Sequence, residues 1–421
     1  MSILQMVVYL LVAVPLLAFF LTLYARSKST SKTRFTTAAE CRCILDGSQA
    51  PDARKNHLTK WEAKAIPNRT TRRAFGIENA FTTDNKRVAE ISVNRVQRRM
   101  NDVDGNWSGL SRILSDAGWD IVGYYETVDA LNVPLTWVVQ ALVLRASLWV
   151  FFNMREEVNI DYLLGLVYEM EDTLRRIKYE EGVSDFKEGL GLEFCLSLVF
   201  ARYNVDTLDP RANPFNSLLH CFETIAPVVS RAFIELRRRE EYKPILAAFV
   251  RKPTSTQFSL ELGEDEISAE FLIKEALRLY PPTRQVERAF QFDPKSPEKV
   301  TLTADIEACH LDPKIWGADV LEFKPDRWKK VTVVQDLAFL AFGSRPFLCP
   351  ASHGFGLRIV GLLVGVLLDM FNDDWMMNPE LDEKLDESGS ASTQRLSNEP
   401  GACDDVSLEA SESAMAWVDV S

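Results

Sequence analysis

The chain has 421 residues, 47 % of them apolar and 26 % charged, which suits a globular body able to build a sizeable core. The net charge of −12 is concentrated after residue 372, where thirteen acids face only two bases, Lys384 and Arg395. The body is therefore nearly neutral, and without a basic stripe nothing supports a nucleic-acid partner.

The first element is Ile3–Tyr24, 22 residues without a charge, followed by Arg26, Lys28, Lys32 and Arg34. About 20 apolar residues span a bilayer as helix. Positive flanks stay cytoplasmic. The stretch predicts a single-pass membrane anchor over residues 1–34 with the C-terminal body in the cytosol. The sequons at Asn68 and Asn106 are then expected to stay unglycosylated. A second apolar run, Val133–Phe152, carries Gln140 and Arg145 near its centre. An arginine at mid-membrane costs roughly 3 kcal/mol on insertion scales, so a buried core helix is the better reading.

The body, residues 35–372, reads as mainly α with small β-sheets (α+β). Three-to-four spacing of apolar residues marks helices at Asn94–Met100, Tyr162–Tyr179, Ser217–Arg239 and Ile267–Leu279. Short extended pieces lie near Val286–Phe292 and Val300–Ile306. Beyond it, residues 373–421 form an acidic, Ser-rich tail, and from about Asp382 its few apolar residues predict disorder.

Seven cysteines at irregular spacing, with no C-x-x-C pair, exclude a disulfide framework and a cysteine-built zinc site. Four scattered histidines argue against a histidine-built metal centre. One cysteine is different. Cys349 lies in AFGSRPFLCP (341–350), stiffened by Pro346 and Pro350, with Gly343 free to turn. A helix over His353–Phe371 is expected to begin just behind it, and its dipole to lower the thiol pKa. A buried cysteine ordinarily only fills space. A thiolate with no second protein ligand nearby, however, fits an iron whose other ligands come from a macrocycle, the haem-thiolate arrangement.

Upstream, FLIKEALRLYPPTR (271–284) sets Glu275 and Arg278 on one helix face and ends at Pro281-Pro282. Next, HLDPKIWGADVLEFKPDRW (310–328) supplies Arg327. In this order the segments resemble the cytochrome P-450 family. Glu275 and Arg278 match its Glu-x-x-Arg helix. His310, Asp312, Pro313, Trp316 and Gly317 match a second motif. Phe323, Pro325, Asp326 and Arg327 match a third, and Phe342, Gly343 and Cys349 match the cysteine loop. The Ser-Arg-Pro-Phe-Leu-Cys-Pro-Ala wording of that loop is similar to a variant among fungal secondary-metabolism members.

The resemblance implies the cytochrome P-450 fold and haem bound through Cys349, with Phe342 beside it. It implies a structural cluster of Glu275, Arg278 and Arg327 bracing the loop. Arg345 and Phe347 stand where the family usually has a glycine and a basic residue, and Ala351 where a glycine is usual. Arg345, or Arg288, is then the candidate for the haem propionates. Arg72 and Arg73 are weaker substitutes for a Trp-x-x-x-Arg motif that is missing. The family's Ala-Gly-x-Asp/Glu-Thr string is also missing, and Glu223-Thr224 in HCFETIAPVVSRAF (220–233) is the candidate acid–alcohol pair for proton delivery.

The implied activity is a monooxygenase acting on a hydrophobic terpenoid-, polyketide- or alkaloid-like molecule in secondary metabolism, at the endoplasmic reticulum membrane. Electrons are expected from NADPH through a separate flavoprotein reductase docking near Lys329, Lys330 and Arg358. Two alternatives stay open: a haem-thiolate isomerase or dehydratase needing no external electrons, and a non-catalytic, degenerate relative.

Overall fold

The computed structural model describes residues 33–103, 105–128, 132–179, 185–186, 190–203, 205–263, 266–377, 395–396, 403–404 and 406–410. The expected membrane helix, its flanking Arg26, Lys28 and Lys32, and most of the acidic tail lie outside these residues. The described part is mostly helical with two small sheets.

Strand β1 (Thr33–Phe35) leads into α1 (Ala38–Asp46), α2 (Lys60–Ala65), α3 (Arg69–Phe75), α4 (Lys86–Asp102) and α5 (Trp107–Val128). Strand β2 (Asn132–Pro134) precedes α6 (Leu135–Phe152), α7 (Ile160–Lys178), α8 (Leu190–Val199), α9 (Phe215–Arg237), α10 (Lys243–Arg251), α11 (Ser255–Phe258) and α12 (Ala269–Leu279). There follow β3 (Gln285–Phe290), β4 (Val300–Asp305), α13 (Ile306–His310), α14 (Pro313–Trp316), α15 (Val333–Ala338), α16 (Phe355–Met370), β5 (Trp375–Met377) and β6 (Ser407–Ala410).

The most apolar helix sits at the centre. Helix α6 is apolar all round and buried from Val138 to Phe151, between α9, α5 and α7. Its two polar interruptions are satisfied inside the protein. Gln140 donates to Glu171 on α7 at 2.8 Å. Arg145 donates to the carbonyls of Met154 and Glu156 at 3.0 and 2.8 Å, just past the helix C-terminus, where a cation is favoured. Val133–Phe152 is thus a core helix of the described fold.

In the first sheet the strand order is β1-β4-β3, with β1 parallel and β3 antiparallel to β4. A second, smaller core of Cys41, Ile44, Phe290, Leu302, Ala304, Cys309, Trp316 and Trp328 packs against it. The second sheet has the order β2-β6-β5, antiparallel throughout. Here the expectation of a disordered tail needs correction. Ser407–Ala410 is a strand whose register pairs Leu408 with Val133 and with Met377, and Leu408 is fully buried. Arg395 and Leu396 also dock on the body: Arg395 Nε donates to Leu279 O at 2.8 Å and Leu396 N to the Tyr280 hydroxyl at 3.1 Å. Tail composition predicts little burial, but these few residues have apolar or ionic partners waiting on distant elements.

Candidate active site

The loop around Cys349 is closed by its own backbone. Gly343 N–H donates to Leu340 O at 2.8 Å, Phe347 N–H to Ser344 O at 3.0 Å, and Cys349 N–H to Phe342 O at 3.0 Å. Gly343 has φ +72°, a conformation that favours glycine. Arg345–Pro346 is a cis peptide bond. A Cβ on Gly356 would lie 2.6 Å from the Phe342 ring, so the bare glycine lets that ring rest on α16.

Two expectations about Cys349 change. The helix behind it begins at Phe355, not His353, after a 3-10 turn over Pro350–Ser352 and Gly354 at φ +98°. The thiol therefore lies short of the helix terminus, where the dipole has little hold. Burial instead raises its pKa, and the Ala351 N–H, directed at the sulfur, offsets only part of this.

Beneath the loop is a buried brace. The Glu275 carboxylate accepts from Arg278 Nε at 2.9 Å and Nη2 at 2.7 Å, and from Arg327 Nε at 2.9 Å. The Trp328 indole and the Lys324 amide, each at 3.0 Å, complete its shell. Arg278 and Arg327 spend their other protons on the carbonyls of His310, Glu322, Trp316 and Asp319. His310 links this brace to the loop. Its Nε2 accepts from Leu340 N–H at 2.8 Å, so its Nδ1 carries the proton and donates to Arg278 O at 3.2 Å. Full burial pushes its pKa down to about 3, keeping the ring neutral.

Helix α9 comes near the cysteine loop at Cys221. Leu219, Phe222, Ala226 and Val228 are buried, whereas His220, Glu223, Thr224 and Pro227 keep accessible surface. Their spacing places them on one stripe. Glu223 is exposed, yet surrounding protein desolvates its carboxyl and raises its pKa to about 7, with the Glu171 charge adding to the effect. Both observations hold together for a side chain lining an enclosed hollow. Thr224 Oγ1 donates to His220 O at 2.5 Å. Pro227, having no N–H, leaves the Glu223 carbonyl without its helical donor, so the ladder is broken where the acid–alcohol pair sits. The Cys349 sulfur is close enough to raise the pKa of the adjacent Cys221, which burial already pushes up to about 12.

Beside the cysteine loop lies a cluster of positive charge. Arg288 and Lys64 are 6 % and 3 % exposed. Neither has a carboxylate partner among the described residues. Arg288 donates to its neighbour's carbonyl at 2.9 Å, and its Nε has no partner. Lys64 donates to Ala80 O. Both flank the Phe347 ring of the cysteine loop, Lys64 Nζ at 4.4 Å and Arg288 Cζ at 5.5 Å from its centroid. Burial and the Arg288 charge depress Lys64 to about 7, and burial lowers Arg288 to about 10. The Lys64 charge also reaches His220, which burial chiefly lowers to about 4, and whose Nε2 accepts from Asn79 Nδ2 at 3.1 Å.

Sequence reasoning missed Lys64 and His220. Lys64 follows Trp61 by three residues, on the same helix face, but its burial depends on the distant Phe347 and Arg288. Of the other candidates, Arg345 is exposed. Arg72 and Arg73 are also exposed and pair with Glu78 and Asp185. Lys329 and Lys330 are exposed, while Arg358 lies over the Trp107 ring at 4.5 Å, partly withdrawn from the surface.

Residues 269–384 match the sequence profile described as cytochrome P-450. That segment is similar to the cytochrome P-450 family. Cytochrome P-450 705A22 of Arabidopsis thaliana is 37 % identical over 122 residues, covering 26 % of this chain and 23 % of that protein. Cytochrome P-450 52-N1 of Starmerella bombicola is 30 % identical over 177 residues, 37 % of this chain and 33 % of that protein. Putative cytochrome P-450 CYP13A3 of Caenorhabditis elegans is 32 % identical over 166 residues, 37 % and 30 % respectively. The chain thus spans only about a quarter to a third of the length of these relatives. Members of the family hold haem iron on a cysteine thiolate. Of the seven cysteines, only Cys309 and Cys349 lie inside the matched segment, and Cys309 is fully buried in the second core.

Proposed function

We propose that this chain is a haem-thiolate monooxygenase that oxidises an apolar small molecule, with Cys349 as the iron ligand. The observation that carries this reading is the set of groups around the hollow. One enclosed thiol lies near α9 with its open Glu223–Thr224 stripe, beside two buried cations that lack an acidic partner. Haem is a flat apolar ring with two carboxylates, so Arg288 and Lys64 fit the propionates and Phe342 fits the ring. Arg345, exposed, is the weaker candidate. Haem, when bound, supplies dioxygen activation.

This chain's own residues would do the rest. Glu275, Arg278, Arg327 and His310 hold the cysteine loop in place. The Ala351 N–H steadies the charge on the Cys349 sulfur. Glu223, poised near neutrality, holds a proton at the hollow and releases it through Thr224. Such a poised acid favours an oxygen-reducing reaction, which consumes protons, over an isomerisation that does not.

Residues 1–34 are read as the membrane anchor, single-pass in the endoplasmic reticulum, because residues 3–24 are long and uncharged. Without a flavin or dinucleotide fingerprint in the chain, electrons are assigned to NADPH through a flavoprotein reductase. The exposed Lys329 and Lys330 are its docking candidates. The substrate is assigned to apolar secondary metabolites on the wording of the cysteine loop.

The test is the absorption spectrum of the reduced, carbon-monoxide-treated full chain. A thiolate-type Soret band is expected, lost in Cys349→Ser. Its absence from protein reconstituted with haem, or its persistence in the variant, overturns the assignment.

A further inference from the structure

Cys41 and Cys309 are both fully buried in the second core, and the proposed chemistry uses neither. The backbone brings them together. Strands β1 and β4 are parallel neighbours with Phe35 opposite Ala304. Each strand runs directly into a helix, α1 and α13, at the same end of the sheet. Cys41 lies six residues beyond Phe35, and Cys309 five beyond Ala304. The Cys41 sulfur reaches both strand ends, at 3.2 Å from Phe35 O and 3.6 Å from Asp305 O. Asp305 caps α13 one turn before Cys309, and the two thiols are close enough to perturb each other's ionisation.

We propose that Cys41 and Cys309 are an oxidation site, closing to an intramolecular disulfide when the protein meets a peroxide. The reaction is balanced by hydrogen peroxide. The Cys309 thiolate attacks one peroxide oxygen, the O–O bond breaks, and water leaves once hydroxide takes up a proton, so that a sulfenic acid remains. The Cys41 sulfur then attacks the Cys309 sulfur, expelling the sulfenic hydroxyl as a second water. Two thiols lose two protons and two electrons, and one peroxide becomes two waters. Burial keeps larger thiols such as glutathione away, so the sulfenic acid is resolved by its neighbour instead of by a mixed disulfide.

The bond would tie α1 to the residue just before His310, whose ring holds Arg278 O and Leu340 N. Oxidation therefore staples the first sheet to the support of the cysteine loop. This requires nothing of the haem assignment.

The experiment exposes the purified full chain to hydrogen peroxide, blocks free thiols with N-ethylmaleimide after unfolding, and maps peptides by mass spectrometry. The expected result is a Cys41–Cys309 linked peptide lighter by two hydrogens than its reduced parts, with loss of maleimide label at both positions. Thermal unfolding should shift upward on oxidation and return with dithiothreitol. Cys41→Ala and Cys309→Ala should each lack the shift. Full maleimide labelling of both cysteines in oxidised wild-type protein overturns the proposal, as does their recovery only as sulfinic acids. The wild-type peptide map decides the matter even where a variant fails to fold.

Discussion

Lys64→Met should stabilise the haem-free protein and weaken the haem-loaded one. In the haem-free protein the ammonium is 3 % exposed, with its pKa lowered to about 7 from the usual 10.5. The unfolded chain holds that proton up to about pH 10.5, whereas the folded chain gives it up near 7. The cost of burying the charge is therefore full below pH 7 and fades as pH rises through 10.5. A gap of that size corresponds to roughly 4 to 5 kcal/mol at neutral pH. Methionine avoids this cost but loses about 1 kcal/mol for the bond to Ala80 O and about 1 to 2 for the rings of Trp61 and Phe347. The net gain is about 2 kcal/mol. Urea unfolding of haem-free protein at pH 7 and at pH 10.5 reads it, with the gain confined to the lower pH. Once an anionic propionate neutralises the charge the sign reverses, and the variant should pass haem to an acceptor protein about tenfold faster or more, about 1.4 kcal/mol. A variant less stable than wild type without haem would refute the buried-charge argument. Unchanged haem transfer would remove Lys64 from the propionate site.

Three further outcomes follow from the same geometry. Glu275→Ala leaves Arg278, with no exposed surface, without its counter-charge and should cost about 3 to 5 kcal/mol in urea unfolding; a loss below about 1 kcal/mol contradicts the brace. His310, lowered to about 3 from 6.5, stays neutral in the fold while the unfolded chain takes up a proton, so stability falls as pH drops from 6.5 toward 3. At pH 4.5 the loss should be about 2.7 kcal/mol, and His310→Gln should abolish that part of the acid sensitivity. In its proposed role Glu223 can give a proton only while protonated, so turnover should decline as pH rises through about 7. Glu223→Gln should be about 10²-fold slower or more, with a flat profile across that range; a variant that keeps the wild-type profile removes Glu223 from the proton path.

The parts legible in the sequence are those whose partners lie close along the chain or whose composition alone dictates burial. Glu275 and Arg278 are three residues apart on one helix, so their pairing needs no tertiary information. Helix α6 is apolar around most of its circumference, and Gln140 and Arg145 near its centre tell against a bilayer, so a core position is legible. The tail strand is the opposite case. Leu408 is one apolar residue in an acidic stretch, and it is buried because Val133 and Met377 offer a free sheet position. Composition averages over that residue and reports disorder.

The thiol of Cys349 shows a subtler limit. Proline and glycine around a cysteine, followed by an apolar run, correctly signal a turn that leads into a helix. They do not fix how many residues separate sulfur from helix, and the dipole acts only within about one turn. Pro350–Ser352 and Gly354 take up that distance, so desolvation wins and the pKa rises. The direction has a functional sense. A thiol held neutral by burial gains from a cation placed against it, because the Ala351 N–H offsets only part of the cost of its charge. Buried Arg288 and Lys64 stand in the reverse position, cations whose cost only an anion can offset. The proposed haem assignment gives each its counterpart, a metal centre facing Cys349 and carboxylates facing Arg288 and Lys64, two cations without an acidic partner among the described residues.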